Sequence, residues 1–280
     1  MAIRVDGKSL ARSILNEVRK DSAFSALQRK TLLVISVDPS SETVRFIEAK
    51  RKIAEDLGIG FSAETLPSDI DPTAFAGHIR SRVYAPDIAG IIIQLPLPTR
   101  LDVRQVFNAL PVSKDVDVLS EAAFHNYFFN ESPVIPPVTG AIDRICQEYR
   151  IDVKGKFVAI LGAGKLIGAP TLAWFAKQGA QVCSFCDSAS TICNILQQAD
   201  IVVSGIGKPG YVTGAMLKPG VVVFDAGFTV AGGKVLGDFS KDALEGKASL
   251  YTPVPGGIGP LTVALIFKNA LELHKQYQLI

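Results

Sequence analysis

The chain has 280 residues, of which 48% are hydrophobic and 20% are charged, with a formal net charge of +2. This composition excludes an intrinsically disordered chain, and the length allows two domains or one large one. The basic residues are scattered and form no stripe, so nucleic acid is not an expected partner. The longest apolar runs, such as Val221–Phe224, are far too short to span a bilayer. The first ten residues lack the apolar core of a signal peptide, so we expect a cytosolic protein without a membrane partner.

The first half of the chain alternates strand-like and helical patterns. The patterns predict helices at 8–20, 42–57, 72–84 and 101–110, and strands at 31–37, 60–66 and 89–95. Continuous apolar runs such as Thr31–Val37 are typical of parallel strands buried on both faces. The stretch 119–137 is aromatic and rich in proline, so we interpret it as an irregular covering loop and hinge. Alternation of this kind predicts an α/β fold.

Lys50 lies within the apolar stripe of the helix predicted at 42–57. Its neighbours on that stripe are Phe46, Ile47, Ala49, Ile53, Ala54 and Leu57. One interpretation is that the lysine stem packs while its ammonium group reaches water. The other is a partly desolvated amine whose lowered pKa lets it exchange protons near neutral pH. Periodicity alone leaves both interpretations open.

Polar residues also occur at the end of one predicted strand and in one predicted loop. Gln94 ends the strand predicted at 89–95, and open α/β sheets bind ligands at the carboxyl ends of their strands. The alternative for Gln94 is an amide that anchors a loop. The segment Lys114-Asp-Val-Asp117 places two carboxylates in the loop after the helix predicted at 101–110.

A glycine-rich turn organises the second half of the chain. The apolar run Phe157–Leu161 is followed by Gly162-Ala-Gly164-Lys165 and Gly168, and then by a helical pattern. Strand, glycine turn and helix in this order are typical of a dinucleotide site, in which the pyrophosphate lies at the helix N-terminus. A second apolar run at 181–186 ends at Asp187, where a carboxylate would bind ribose hydroxyls. The alternative is a βαβ unit with a purely structural role.

The remaining patterns continue the same alternation. They predict helices at 139–149 and 191–198, strands at 200–204 and 221–225, a turn at 205–210 and a helix to about residue 277. We interpret the loop at 251–262 as the wall of a ligand site, because it follows the dinucleotide-type sheet directly; the alternative is a tight connection with a structural role. Cys183 and Cys186 have the spacing of a metal motif, but residues three apart on a strand point to opposite faces. No histidine lies near them, so we expect no metal site, and we expect all four cysteines, at 146, 183, 186 and 193, to be reduced and packed.

Together these stretches resemble the bifunctional methylenetetrahydrofolate dehydrogenase/cyclohydrolase family over nearly the whole chain. The motifs that carry the resemblance are Asp6-Gly7-Lys8, Lys50-Arg-Lys52, Gln94-Leu-Pro-Leu-Pro98, Lys114-Asp-Val-Asp117, Gly205-Ile-Gly-Lys-Pro-Gly210 and Thr252-Pro-Val-Pro-Gly-Gly-Ile-Gly-Pro-Leu-Thr262. The resemblance implies oxidation of 5,10-methylenetetrahydrofolate with a nicotinamide cofactor, then hydrolysis of the methenyl product to 10-formyltetrahydrofolate. It also implies a homodimer, with a folate cleft between two lobes of each chain.

The resemblance assigns a role to each motif. Lys50 would be the catalytic lysine, Gln94 its hydrogen-bond partner, and Asp117 the carboxylate that orients the pterin ring. The implied substrate-binding residues are Phe46, Pro253, Gly256, Gly257, Pro260 and Thr262. The implied cofactor-binding residues are Gly162, Ala163, Gly164, Lys165, Gly168, Asp187, Gly205, Ile206 and Gly207.

The sequence departs from the family pattern at four places. Phe46 replaces a tyrosine, Val118 replaces the glycine after the two carboxylates, and Ile135-Pro-Pro-Val138 replaces a P-C-T-P segment. Ala163 replaces the arginine of a G-R-S turn. The loss of the tyrosine weakens the case for the cyclohydrolase step. The loss of the arginine removes a partner for a 2′-phosphate, so the residues favour NAD although the family default is NADP.

We therefore predict a two-lobed α/β protein. Its Rossmann-type NAD(P)-binding lobe is 139–264, and its folate-binding catalytic lobe is 1–138 together with the returning helix 265–280. Two other functions remain open: a dehydrogenase with weak or no cyclohydrolase activity, and a catalytically silent nicotinamide-binding sensor.

Overall fold

The protein is described by a computed structural model that covers residues 2–185 and 192–278. Asp187 and Cys186 lie outside the described residues. The chain divides into two compact units. We call Met1–Arg12 with Val138–Thr262 the large-sheet unit, and Ser13–Pro137 with Val263–Ile280 the small-sheet unit.

Helices and strands alternate along most of the chain. Up to residue 128 they are β1 (Ile3–Arg4), α1 (Gly7–Lys20), α2 (Phe24–Leu27), β2 (Thr31–Val37), α3 (Ser41–Leu57), β3 (Gly60–Leu66), α4 (Pro72–Val83), β4 (Ile88–Ile93), α5 (Val103–Asn108) and α6 (Glu121–Phe128). They continue with α7 (Pro137–Glu148), β5 (Phe157–Leu161), α8 (Gly168–Lys177), β6 (Gln181–Phe185), α9 (Ile192–Leu196), β7 (Ile201–Ser204), β8 (Val221–Asp225), β9 (Thr229–Ala231), β10 (Lys234–Leu236), α10 (Lys241–Gly246), β11 (Ala248–Tyr251) and α11 (Ile258–Gln278). Short 3-10 turns occur at Val112–Lys114 and Gly214–Met216. The predicted α/β class is confirmed.

The small-sheet unit is built on three parallel strands in the order β3-β2-β4. The chain leaves β2 through α3 to reach β3 on one side, and then returns through α4 to β4 on the other side. The carboxyl ends of β2 and β4 therefore flank a topological switch point, the usual ligand site of an open α/β sheet. The buried hydrophobic core against this sheet is formed by Leu33, Ile35, Val37, Phe75, Ile79, Ile88, Ile91, Ile93, Leu101, Val106, Phe107, Leu110 and Leu119.

The helix α3 has a defined beginning and end. The Ser40 hydroxyl accepts a hydrogen bond from the Thr43 amide, and Gly58 ends the helix in the left-handed conformation at φ 66°. The buried residues of the helix are Thr43, Ile47, Lys50, Ala54 and Leu57. The buried stripe is narrower than predicted, because Ala49 is exposed.

The stretch 119–137 is less irregular than predicted. The helix α6 begins after Ser120, whose hydroxyl accepts a hydrogen bond from the Ala123 amide, and it buries Ala123 and Tyr127. The aromatic residues of this stretch form a helix and not a covering loop, because an N-cap precedes them and no proline follows until Pro133. The expectation of an irregular segment was therefore wrong for residues 121–128.

The large-sheet unit contains six parallel strands in the order β1-β11-β8-β7-β5-β6. Its switch point lies between β5 and β7, because the connection after β5 runs to β6 on one side and the chain then crosses back to β7. The antiparallel hairpin β9–β10 and the helix α10 have no counterpart among the predicted elements. No helix within residues 2–185 and 192–278 is long and apolar enough to cross a membrane.

Candidate active site and dinucleotide site

Lys50 and Gln94 meet inside the small-sheet unit. Lys50 extends from α3 and is 7% exposed, and its Nζ donates a 2.9 Å hydrogen bond to Gln94 Oε1. Gln94 follows β4 directly, at the switch point of the sheet. Its backbone amide donates to the Ile35 carbonyl over 2.8 Å, and its side-chain Nε2 donates to the Leu95 carbonyl over 3.0 Å. The amide oxygen of Gln94 is thus held towards the lysine.

Two titratable groups in this unit have shifted pKa values. Burial lowers the pKa of Lys50, and the neighbouring charge of Asp117 opposes that shift. Burial of the carboxyl group raises the pKa of Asp117 to about 6, while Lys50 lowers it and Asp115 raises it. An amine and a carboxyl group that both titrate closer to neutral pH than usual can take up and release protons during a reaction.

The loop that carries Asp117 is fixed by its neighbour Asp115. The fully buried Asp115 carboxylate accepts hydrogen bonds from the amides of Leu119, at 3.1 and 3.0 Å, and of Ser120, at 2.7 Å. Burial raises the pKa of Asp115, and these backbone donors oppose the shift. Val118 adopts the left-handed conformation at φ 58°. That conformation costs a β-branched residue roughly 1–3 kcal/mol, so the surrounding contacts hold the loop in place.

A residue of the last helix also contacts this loop. Asn269 of α11 is 2% exposed, and its Nδ2 donates to the carbonyls of Val116, at 2.8 Å, and Ile135, at 2.9 Å. Both contacts lie within the small-sheet unit. Asn269 was missed from the sequence, although an amide inside the apolar run of α11 is a signal that could have indicated it.

In the large-sheet unit, the glycine turn after β5 has the geometry that a dinucleotide site requires. Gly162 has a φ of 99°, which is unfavourable for other residues, and a Cβ at Gly168 would collide with the Gly162 carbonyl. A Cβ at Gly164 would meet no protein atom within 4 Å, so a ligand can approach the backbone there. Ala163 and Lys165 are exposed, and α8 begins at Gly168 with an N-terminus that no side chain caps. These residues fit a pyrophosphate group.

The loop 205–210 lies on the other side of the same switch point. It follows β7, and a Cβ at Gly162 would lie 3.5 Å from the Gly205 carbonyl oxygen. Gly207 has a φ of 67°, and Gly205 leaves no room for a Cβ because the Ile167 side chain occupies that space. Gly162–Gly168 and Gly205–Gly207, predicted from separate motifs, are therefore neighbours in the structure.

The loop 252–262 packs closely against the start of the chain. The Gly7 amide donates to the Gly256 carbonyl over 3.1 Å, and a Cβ at Gly7 would collide with Gly257. Gly256 has a φ of 104°. Pro253 is buried, whereas Pro260 and Thr262 lie in the first turns of α11 and are partly exposed. The glycines of the predicted motif thus have a structural reason independent of any ligand.

Metal and thiol chemistry have little support among the described residues. No group of three or more His, Cys, Asp or Glu side chains that could hold a metal ion occurs in 2–185 and 192–278. Cys146, Cys183 and Cys193 are free, and burial raises the pKa of the Cys146 thiol to about 12. The expectation of packed thiols was wrong for Cys193, which is exposed.

Comparison with known families identifies the two parts of the chain. Residues 5–117 match the tetrahydrofolate dehydrogenase/cyclohydrolase catalytic domain, and residues 136–278 match the NAD(P)-binding domain of the same family. The chain belongs to this family. The prediction of an enzyme that oxidises methylenetetrahydrofolate with NAD(P) and hydrolyses the methenyl product is confirmed at the level of the family.

Individual relatives of the tetrahydrofolate dehydrogenase/cyclohydrolase family resemble the chain over its full length. The bifunctional protein FolD of Aquifex aeolicus is 34% identical over 99% of this chain and 96% of its own length. The crystal structure of FolD from Campylobacter jejuni superposes with a TM-score of 0.92 at 27% identity, covering 99% of both chains. The Trypanosoma brucei enzyme, solved with NADP and an inhibitor, has a TM-score of 0.91 at 27% identity and covers 98% of both chains.

Proposed function

We propose that Lys50, Gln94 and Asp117 carry the reactions that this family of tetrahydrofolate dehydrogenase/cyclohydrolases performs. The observation that carries the proposal is the 2.9 Å hydrogen bond from the buried Lys50 Nζ to Gln94 Oε1, with Asp117 as the charged neighbour. Because burial lowers the pKa of Lys50, this lysine loses its proton at a lower pH than an exposed lysine does. A neutral amine can take a proton from the water that attacks the methenyl carbon, and the ammonium form can return it.

The other two residues support this proton transfer. Gln94 accepts a hydrogen bond from Lys50 through the neutral oxygen Oε1, and this contact orients the amine. Because Gln94 carries no charge, it does not hold the proton on the lysine as a carboxylate would. Asp117, with a pKa of about 6, can hold or release a proton against a ring nitrogen of the pterin. Phe46 lies one turn before Lys50 on α3 and is proposed to border the substrate, as are Pro253, Gly256, Gly257, Pro260 and Thr262.

The cofactor site proposed for the oxidation is formed by the two loops at the switch point of the large sheet. NAD(P)⁺, when bound, supplies the hydride acceptor. The exposed backbone of the turn before α8 would bind its pyrophosphate, and Gly162, Gly164 and Gly168 would allow the close approach. We further propose a preference for NAD, which is supported by the small, uncharged Ala163 in the exposed part of the turn. The role of Asp187 in binding both ribose hydroxyls remains a prediction.

The remaining parts of the proposal rest on the resemblance alone. They are a folate-binding catalytic domain at 1–138 with 265–280, an NAD(P)-binding domain at 139–264, a homodimer and a cytosolic location. Light scattering on the purified protein tests the homodimer.

The decisive experiment compares Lys50→Met with Lys52→Met. Both substitutions replace a lysine of α3 by methionine, but Lys50 is buried and Lys52 is exposed. An absorbance assay follows reduced nicotinamide and methenyltetrahydrofolate separately. We expect methenyl hydrolysis to fall by roughly 100-fold or more in Lys50→Met and to stay normal in Lys52→Met. Near-normal hydrolysis by a folded Lys50→Met protein would contradict the assigned role.

The cofactor preference is tested on the unmodified protein by comparing kcat/KM for NAD and NADP. We expect the higher value with NAD, because neither Ala163 nor Asp187 offers a positive partner to a 2′-phosphate. A clear preference for NADP would refute this part of the proposal without affecting the role of Lys50.

A further inference from the structure

A buried carboxylate outside the predicted site holds the loop after β7. Asp238 is 1% exposed and follows the hairpin β9–β10. Its Oδ2 accepts hydrogen bonds from the Ser204 hydroxyl, at 2.7 Å, and from the Ile206 amide, at 2.9 Å. Its Oδ1 accepts from the Lys208 amide over 2.8 Å. One side chain thus fixes the end of β7 and two alternate amides of the loop.

Asp238 is itself held by a second buried carboxylate, Asp225, at the end of β8. Asp225 Oδ1 accepts from the amides of Asp238, at 3.1 Å, and Gly227, at 3.0 Å, and Oδ2 accepts from the Phe239 amide at 3.2 Å. A Cβ at Gly227 would collide with the Asp238 carboxyl group, and one at Gly237 would collide with the Asp225 carboxyl group. Two glycines therefore make room for the two carboxyl groups. The ends of β7 and β8 are joined through this pair.

The opposite side of the loop is fixed by Thr229, the first residue of β9. Its hydroxyl donates a 3.0 Å hydrogen bond to the Gly207 carbonyl. The amides of Ile206 and Lys208 are directed to Asp238, so they are not available to bind a phosphate group. What the loop can still offer a ligand is the partly exposed apolar side chain of Ile206, the Gly207 amide, and backbone carbonyl oxygens such as that of Gly205. This chemistry suits the nicotinamide and ribose part of a dinucleotide and not its pyrophosphate.

We propose that Asp238 is a positioning residue that sets the loop Gly205–Lys208 to bind the nicotinamide–ribose end of NAD(P). The phosphate end would be bound independently by Gly162–Gly168. The inference rests on the proposed function, because it assumes that this unit binds the dinucleotide. Asp238 lies outside every motif that the sequence offered as part of the cofactor site.

The test uses Asp238→Asn in the full-length protein, with binding measured by isothermal titration calorimetry. Asparagine keeps the shape of the side chain and one acceptor oxygen. Its NH₂ group replaces the other oxygen and cannot accept, so at least one of the hydrogen bonds that Asp238 now accepts is lost. Losing a hydrogen bond to a charged group predicts a roughly tenfold or larger increase in the Kd for NAD(P). The Kd for ADP, which lacks the nicotinamide end, is expected to stay within about twofold of the unmodified protein.

Cyclohydrolase activity supplies a second readout that needs no dinucleotide. Methenyltetrahydrofolate hydrolysis is expected to be unchanged in Asp238→Asn, while the KM for NAD(P) rises. Equal weakening of ADP and NAD(P), or a loss of hydrolysis, would show a merely structural role and overturn the inference. Normal NAD(P) affinity in the variant would also overturn it.

A second pair of variants keeps the test decisive if Asp238→Asn does not fold. Thr229→Val removes the hydroxyl that binds the Gly207 carbonyl, and Thr229→Ser keeps it. We expect Thr229→Val to weaken NAD(P) binding several-fold with ADP unaffected, and Thr229→Ser to bind normally. Indistinguishable NAD(P) affinities for the two would refute the role of the preset loop. Failure of the unmodified protein to bind NAD(P) or turn over folate would instead contradict the proposed function.

Discussion

Replacing Gln94 by glutamate tests how the pKa of Lys50 is controlled. The substitution puts a carboxylate oxygen where Gln94 Oε1 now lies, 2.9 Å from the lysine Nζ. At an effective dielectric constant of about 20, two unit charges at that separation attract by about 6 kcal/mol. Desolvation of the new carboxylate offsets much of this attraction, and opposite charges at such distances typically shift a pKa by about 1–3 units. We therefore expect the pKa of Lys50 to rise by about two units.

The consequence is a loss of neutral lysine. If hydrolysis requires the neutral amine, its rate rises with pH up to the pKa of Lys50. A rise of two units in that pKa then lowers the rate roughly 100-fold at pH 7.5 and moves the ascending, acidic limb of the pH–rate profile upwards by about two units. The assay follows the decay of methenyltetrahydrofolate absorbance between pH 6 and 10. Gln94→Leu is the control, because it removes the hydrogen bond without adding a charge and should not move the limb upwards. An unchanged pH profile in folded Gln94→Glu would refute the assignment of Lys50 as the proton-transfer group.

Two further predictions concern single side chains. Phe46 lacks the hydroxyl of the family tyrosine, so we expect the unmodified protein to accumulate methenyl product, and Phe46→Tyr to raise hydrolysis roughly tenfold with little effect on the dehydrogenase; release of 10-formyl product without a methenyl lag would contradict this. The pKa of Asp225 is raised to about 7 by burial, with Asp238 adding to the shift. The folded state binds the Asp225 proton more tightly than the unfolded state does, so protonated Asp225 stabilises the fold fully at low pH. This stabilisation is lost as the pH rises through 7, and the loss between pH 5 and pH 8 is about 2–3 kcal/mol. Asp225→Asn should flatten the pH dependence of the free energy of unfolding. Urea unfolding can be followed by the fluorescence of Trp174, the chain's one tryptophan, which lies in the same unit. If the free energy of unfolding of the variant changes with pH as much as that of the unmodified protein, Asp225 is not the source of the dependence.

Strands could be predicted from the sequence mainly where continuous apolar runs are buried on both faces, as in 31–37, 157–161 and 221–225, although the partly exposed strand 60–66 was also predicted. Strands 31–37, 60–66, 157–161 and 221–225 have the predicted bounds. Periodicity also placed Lys50 on the buried side of α3, although it could not separate a packed stem from a functional amine. What separates them is the contact with Gln94, which comes from a strand 44 residues later in the chain. Contacts between distant segments leave no local pattern.

The residues that were missed share that property. Asp238 lies between a short hairpin and a short helix, where neither the twofold nor the helical period is long enough to be recognised. Its function in the structure follows from three donors 30 to 34 residues earlier. The helix α6 was missed for the opposite reason: its local signals were present, but its aromatic composition and the prolines after it suggested a loop.

The contact of Asn269 with Val116 has a consequence for how the protein is made. These residues are 153 positions apart, and the whole continuous part of the large-sheet unit, Val138–Thr262, lies between the two segments of the small-sheet unit. On the ribosome, at about 5–20 residues per second, the first segment waits on the order of ten seconds before the helix that satisfies the carbonyls of Val116 and Ile135 is synthesised. During that time the Asp115–Asp117 loop lacks the hydrogen bonds from Asn269, whereas the glycine-rich turns of the large-sheet unit have already been synthesised. The order of synthesis therefore makes the loop that carries Asp117 depend on α11 for its final hydrogen bonds.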